Sequence, residues 1–180
     1  NIDEIVVYDK SPSTSWLNVD GLQDDGLMAD ISTGFDIEPT IISDLLNTHV
    51  RPKIHEYDNC IFLSLKSLQY DEVNNKLDSE NLSIIIKEHI LISFQERESD
   101  LFEPVRERLR RNKKRFRGAG TDYLAFALID VVIDNYIYII SQIGEKIEGI
   151  DSELIDSPSA ASLEEINRYK SELVYLRKII

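Results

Sequence analysis

Two aspartates one helical turn apart, Asp130 and Asp134, sit in an otherwise apolar stretch of this chain: Phe126-Ala127-Leu128-Ile129-Asp130-Val131-Val132-Ile133-Asp134-Asn135. Like charges at i and i+4 on a helix repel and cost stability. Something must offset that: a salt bridge to a basic side chain, or a divalent cation, because hard cations prefer carboxylate oxygen. Asp44 is a second acid out of place. It interrupts Ile41-Ile42-Ser43-Asp44-Leu45-Leu46 and so lies at the edge of an apolar helix face. Taken alone, it reads as a solvated acid. A third feature is Arg117-Gly118-Ala119-Gly120-Thr121, two glycines between a basic run and a helix start. Free N–H groups and the helix dipole would let such a turn cradle an anion. The plainer reading is a helix-to-helix linker with a basic, solvated end.

Other chemistries find no foothold. His49, His55 and His89 have no ligand spacing, and no H-E-x-x-H occurs. They read as two loop or turn histidines and one strand histidine. The lone cysteine, Cys60, opens an apolar strand and reads as a small buried hydrophobe. With one cysteine no internal disulfide forms, and a reducing compartment is expected. There is no G-x-S-x-G, no phosphate-loop lysine and no dinucleotide fingerprint. The chain is therefore not expected to be an enzyme.

The elements that must position these acids follow from hydrophobic period. Ile5 to Tyr8 and Trp16 to Val19 are short strand candidates. Asp24 to Phe35 reads as a helix, and Pro39 suits the first position of another that carries Ile41, Ile42, Leu45 and Leu46. Lys53 to Tyr57 and Cys60 to Tyr70 flank Asp58-Asn59, a hairpin signal. Leu82 to Ile86 and Ile90 to Phe94 flank Lys87-Glu88-His89 and are nearly all apolar, which predicts a central pair covered on both faces. Ser99 to Arg115 reads as a helix with Leu101, Phe102, Val105 and Leu109 inward. From Tyr123 to Ile155 there is no proline, and Ile143, Ile147, Ile150 and Leu154 keep helical steps. If Thr121 caps this helix and Pro158 lies past its end, it runs about 35 residues, roughly 50 Å. After the loop Ser157-Pro158-Ser159-Ala160-Ala161, Ser162 and Glu165 are placed for a capping box. The last helix carries Ile166, Tyr169, Leu173, Leu176 and Ile180 on one face. A short loop makes the two long helices antiparallel neighbours. The fold expected is α/β: a three-layer α/β/α domain with a mixed sheet over residues 1–117, then long antiparallel helices over 118–180 that begin a stalk. No Gly, Asn or Pro closes the final stripe, so the helix is expected to continue beyond Ile180.

The net charge of −13 is unevenly spread. Residues 1–104 carry 7 basic and 21 acidic side chains, residues 105–117 carry 8 and 1, and residues 120–156 carry 1 and 8. The acidic front and acidic long helix argue against a nucleic-acid partner and accommodate cations readily. No signal peptide is expected from Asn1 to Lys10. The most apolar stretch, Tyr123 to Ile140, contains Asp130, Asp134 and Asn135, so it is expected to pack in protein rather than span a membrane.

Several motifs in order resemble one family. They are Trp16-Leu17-Asn18-Val19-Asp20-Gly21-Leu22, then Asp44-Leu45-Leu46-Asn47 with Arg51-Pro52-Lys53, then Phe94-Gln95-Glu96. Phe102 with Pro104-Val105-Arg106-Glu107-Arg108, Asp122-Tyr123-Leu124, Leu128-Ile129-Asp130 and Leu176-Arg177-Lys178 follow. Over roughly residues 14 to 180 the chain is similar to the cytoplasmic N-terminal part of the CorA magnesium transporters. The resemblance implies a homopentameric funnel whose α/β/α cytoplasmic domains lead through a stalk helix to two transmembrane helices. The family's Gly-Met-Asn pore signature is absent here. It also implies that Mg²⁺, or Co²⁺ or another divalent ion, bridges neighbouring cytoplasmic domains and holds the channel closed. The matching positions are Asp44 and Asp130, with Asp134 a further candidate and a partner acid on the neighbour's stalk beyond Ile180. Ser43 stands where relatives often carry Glu. The implied role is regulatory, an ion-sensing gate on the cytoplasmic side of the inner membrane. The partners are further copies of the chain, and the membrane is reached through helices beyond this soluble piece. The alternatives are a zinc-transporting relative and, from another class, a soluble anion- or nucleotide-binding protein using Gly118 to Thr121.

Overall fold

In the computed structural model the described residues are 2–10, 13–47, 51–71, 73–74, 76–111, 118–156 and 160–180. Helix α1 (Ile2–Val6) runs into a 3-10 turn, Val7–Lys10. Strand β1 (Ser15–Asp20), helices α2 (Asp25–Gly34) and α3 (Pro39–Leu46) and strands β2 (Lys53–Glu56), β3 (Ile61–Asp71), β4 (Lys76–Ile86) and β5 (Ile90–Gln95) follow. Helices α4 (Glu103–Arg111), α5 (Thr121–Asp156) and α6 (Ala160–Ile179) complete the chain. The sheet order is β1-β5-β4-β3-β2. β1 runs parallel to β5, whereas β4 with β5 and β2 with β3 are antiparallel, so the sheet is mixed as expected.

Two compact units divide the residues: 1–67 with 80–132, and 68–79 with 133–180. In the first unit the predicted hairpins form. Tyr57 N–H donates to the Cys60 carbonyl at 2.8 Å across Asp58-Asn59, and Lys87 N–H donates to the Ile90 carbonyl at 2.9 Å. β5 lies between β1 and β4, and every residue of it is buried, the doubly covered strand its apolar run predicts. On one face α2 and α3 bring Met28, Ile31, Phe35, Ile41 and Leu45 onto Val19, Phe62, Ile85, Ile92 and Phe94. Asp24 caps α2, its side chain accepting from the Leu27 N–H, and Pro39 opens α3. The pleat turns Trp16 to the opposite face from Leu17. There Phe102, just before α4, meets the indole edge-on at 5.8 Å, and the indole N–H donates to Ser93 Oγ at 2.9 Å. Helices on both faces make the three layers.

Three local expectations differ. Ile5 to Tyr8 is not a strand but the end of α1 and the 3-10 turn. A four-residue apolar run carries no period of its own, and only Ile5 and Val6 pack against the core while Val7 and Tyr8 stay exposed. The helix placed at Ser99 begins at Glu103, and residues 112–117 of the basic run lie outside the described residues. The last helix begins at Ala160, so Ser162 lies inside its first turn instead of at its cap, and Glu165 pairs with Arg168 at 3.0 Å. The loop residues 157–159 lie outside the described set.

In the second unit Leu68 and Leu77, from the far ends of β3 and β4, share a core with Ile139, Ile143 and Ile150 of α5 and Tyr169 and Leu176 of α6. Asn135 Nδ2 donates to the Leu68 carbonyl at 2.8 Å. Burial and a hydrogen bond with Tyr169 push the Tyr70 phenol well above its ordinary range, and Lys146 lies over its ring at 5.1 Å.

Candidate metal centre

Asp44 is placed by the residues around it. Ile41 and Leu45 are fully buried, which leaves position 44 on the flank of α3, at its last turn. Its Oδ2 accepts from Lys53 Nζ at 2.5 Å. Lys53 comes from β2 at the edge of the sheet, paired with Ser64, and its ammonium lies 5.9 Å from the centre of the Phe62 ring. Both side chains are partly solvent-exposed, 28% for Asp44 and 40% for Lys53.

Asp130 and Asp134 are both exposed on α5. Neither takes part in an ion pair or side-chain hydrogen bond among the described residues, and no salt bridge among those residues offsets their repulsion. Tyr123, Phe126, Ile133, Ile137 and Ile140 are exposed on the same helix. With Asp130 they follow steps of 3 and 4 residues, a single helix face. Among the described residues Asp130 is thus a carboxylate without a partner inside an exposed apolar stripe.

The chain does not gather these acids into one centre. Asp44 rides on a helix whose core contains no residue of α5. Among the described residues no three His, Cys, Asp or Glu side chains converge as a metal site. What remains are separate carboxylates with open solvent access. That donor chemistry fits Mg²⁺, which keeps several waters and takes one or two carboxylates. It does not fit Zn²⁺ held by three or four protein ligands.

Other polar groups have local roles. Thr121 Oγ1 donates to the Lys87 carbonyl at 2.7 Å, so its hydroxyl ties α5 to the β4–β5 turn. A Cβ at Gly120 would lie 2.5 Å from Asp122 Oδ1. The start of α5 thus has its own carboxylate in the first turn, which satisfies the helix dipole and repels an incoming anion. His55 lies on β2 and His89 in the β4–β5 turn; His49 is outside the described residues. Burial raises the Cys60 thiol pKa against the opposing pull of Lys87, leaving little thiolate for nucleophilic chemistry. Sequence patterns gave no sign of the buried polar cluster beside β4. There Lys66 donates to Asn81 Oδ1, Asn81 Nδ2 donates to the Asn47 carbonyl at 2.7 Å, and Arg97 pairs with Glu80 at 3.0 Å. Nor did they single out Lys53 as the partner of Asp44. The available signal was its position just after Arg51-Pro52, on the strand that α3 leads into.

Among the described residues one helix, over Thr121–Asp151, is long and apolar enough to cross a membrane, with mean hydropathy 1.7. Length and composition alone decide that. Leu124, Leu128, Val132, Ile139 and Ile143 on this helix are buried within the protein.

The profile described as CorA-like Mg²⁺ transporter protein matches residues 11–180. The cobalt/magnesium transport protein CorA of Thermotoga maritima is 32% identical over 180 residues, which is 100% of this chain and 51% of that protein. The chain therefore spans about half the length of that relative. The soluble domain of CorA from Methanocaldococcus jannaschii superposes with TM-score 0.71 at 18% identity, covering 87% of this chain and 62% of that one. The cytoplasmic domain of ZntB from Vibrio parahaemolyticus gives TM-score 0.71 at 16% identity, covering 91% and 63%. A five-stranded mixed sheet followed by a long helix is the fold shared with these domains. With the profile matched from residue 11 to the last residue, the chain belongs to the CorA-like Mg²⁺ transporter family, a family of transporters and not of enzymes.

Proposed function

We propose that this chain is the cytoplasmic, divalent-ion-sensing part of a homopentameric magnesium and cobalt transport protein. Residues 1–117 form its sensing domain, and residues 118–180 begin the helical arm that leads to the pore. The observation that carries the reading is Asp130, a carboxylate with no partner among the described residues, within an exposed apolar stripe of α5. Apolar surface of that kind marks a face that another element covers. A carboxylate enclosed there without a cation would suffer desolvation with no compensation. A Mg²⁺ shared with acids of a neighbouring subunit removes that penalty and holds the two copies together. Asp44 supplies the second such carboxylate, and Asp134 lies within one turn of the first.

The ion then acts as a ligand that favours one of two states. It binds the closed arrangement better, because only there do carboxylates from two chains face it, and its loss lets the copies separate. Eight acids over residues 120–156, repeated around a ring, supply the repulsion that opens it. The sites need only be weak, since they answer to free Mg²⁺ near millimolar levels. The test is Mg²⁺ flux through the complete protein in liposomes as a function of internal Mg²⁺. Asp130→Asn should shift the inhibition curve to higher Mg²⁺ without changing which ions pass. An unchanged curve in a folded, inserted variant would remove Asp130 from the sensor.

A further inference from the structure

The ion pair at Asp44 has a feature that a plain surface salt bridge lacks: both partners are positioned by separate, fixed elements. α3 is anchored by Ile41 and Leu45, both fully buried. β2 is registered on β3 from Lys53 opposite Ser64 to Glu56 opposite Ile61. Lys53 reaches past Phe62, 5.9 Å from the ring centre, to place its ammonium 2.5 Å from Asp44 Oδ2. The carboxylate therefore already holds a cation, and that cation is covalently part of the chain.

From this geometry we infer that Lys53 is a built-in competitor at the Asp44 ion site. A divalent ion ligating Asp44 must first displace the ammonium, so Lys53 sets how much ion is needed. The inference deepens the proposed function and rests on Asp44 being an ion ligand. Lysine suits the task. Its ammonium is a compact point charge on a flexible stem, which detaches readily, where a guanidinium would hold both carboxylate oxygens in a fixed fork. Two effects make up the competition. Releasing a partly exposed pair lowers affinity by a factor of roughly 1.5 to 5. The displaced ammonium stays tethered within several ångströms and repels the divalent ion, which contributes a further factor of a few. Together they weaken the site about three- to tenfold, in the direction a sensor of abundant Mg²⁺ requires.

The test uses the 180-residue chain and Mn²⁺, whose paramagnetism broadens nearby amide signals in ¹H–¹⁵N spectra. Lys53→Met removes the charge and keeps a stem against Phe62, and Lys53→Gln is a second neutral variant should the first fold poorly. Lys53→Arg retains the charge, and Asp44→Asn removes the ligand. Expected is broadening centred on residues 41–46, displaced by excess Mg²⁺ and abolished by Asp44→Asn. Its midpoint should fall about three- to tenfold in the neutral variants and not fall in Lys53→Arg. If broadening at α3 depends on Asp44 but the neutral variants match the wild type, Lys53 is no competitor and the reading of Asp44 stands. If no Asp44-dependent broadening occurs even in the neutral variants, the carboxylate takes no divalent ion within one chain and the competition by Lys53 is overturned.

Discussion

Asp44 contributes little to holding the fold together, which leaves it available for the ion-sensing role proposed above. Its carboxylate sits on a helix flank and its one partner, Lys53, is itself 40% exposed. Asp44→Ala should therefore cost about 1 kcal/mol or less in urea unfolding. In the pentamer proposed above, the same loss would recur at every interface. If each interface gives up on the order of 1 kcal/mol of ion-dependent closure, five together suffice to invert a two-state population. Flux measured against internal Mg²⁺ should show a right-shifted inhibition curve. Glu80 behaves differently. Burial raises its carboxyl pKa in spite of Arg97, so the folded chain holds that proton more tightly than the unfolded chain does. Its contribution to stability is full below the ordinary carboxyl pKa and is lost as pH rises through the raised one. Glu80→Gln should thus gain stability relative to the wild type between pH 4 and pH 7, read as the difference in urea midpoints at the two values. Asp44, Asp130 and Asp134 stand out as candidates in the sequence because each breaks an apolar pattern. Lys53 and Glu80 do not, because their surroundings are set by strand register and by pairing across the sheet, which local spacing does not encode.

The helix carrying Asp44 depends on its other face. Leu45 is fully buried among residues of β1, β3, β4 and β5, so Leu45→Ala should cost about 2–5 kcal/mol. Thermal or urea unfolding of Leu45→Ala beside Asp44→Ala would show adjacent positions on one helix answering to separate demands. Strands and long helices were readable where the period was long or the run uniformly apolar, as in β4, β5 and α5. The short N-terminal run was misread because helix and strand are indistinguishable over four residues. The start of α6 was misread because a serine followed by a glutamate three positions on is a capping signal only when the chain enters the helix there.

At the scale of the whole molecule, the candidate metal ligands are dispersed among the described residues while the cores are not. Since no three candidate ligands converge among the described residues, calorimetry of the 180-residue chain should detect no submicromolar Mg²⁺ site. Finding one would contradict a sensor completed by a neighbouring copy. The three-layer domain and the long helices were legible from alternating element types. The composition of the second core was not, because Leu68, Tyr70 and Leu77 look like ordinary strand residues until Ile139, Ile143 and Leu176 arrive beside them. That arrival has a timescale. Leu68 leaves the ribosome about a hundred residues before Leu176, which at typical synthesis rates is roughly 5–20 s. Until α5 and then α6 have emerged, the end of the hairpin is complete in sequence but lacks part or all of the surface it packs against. A nascent chain paused there presents an apolar strand tip to solvent, and the exposed acids beside it, Asp71 and Asp78, become its protection against pairing with the wrong partner.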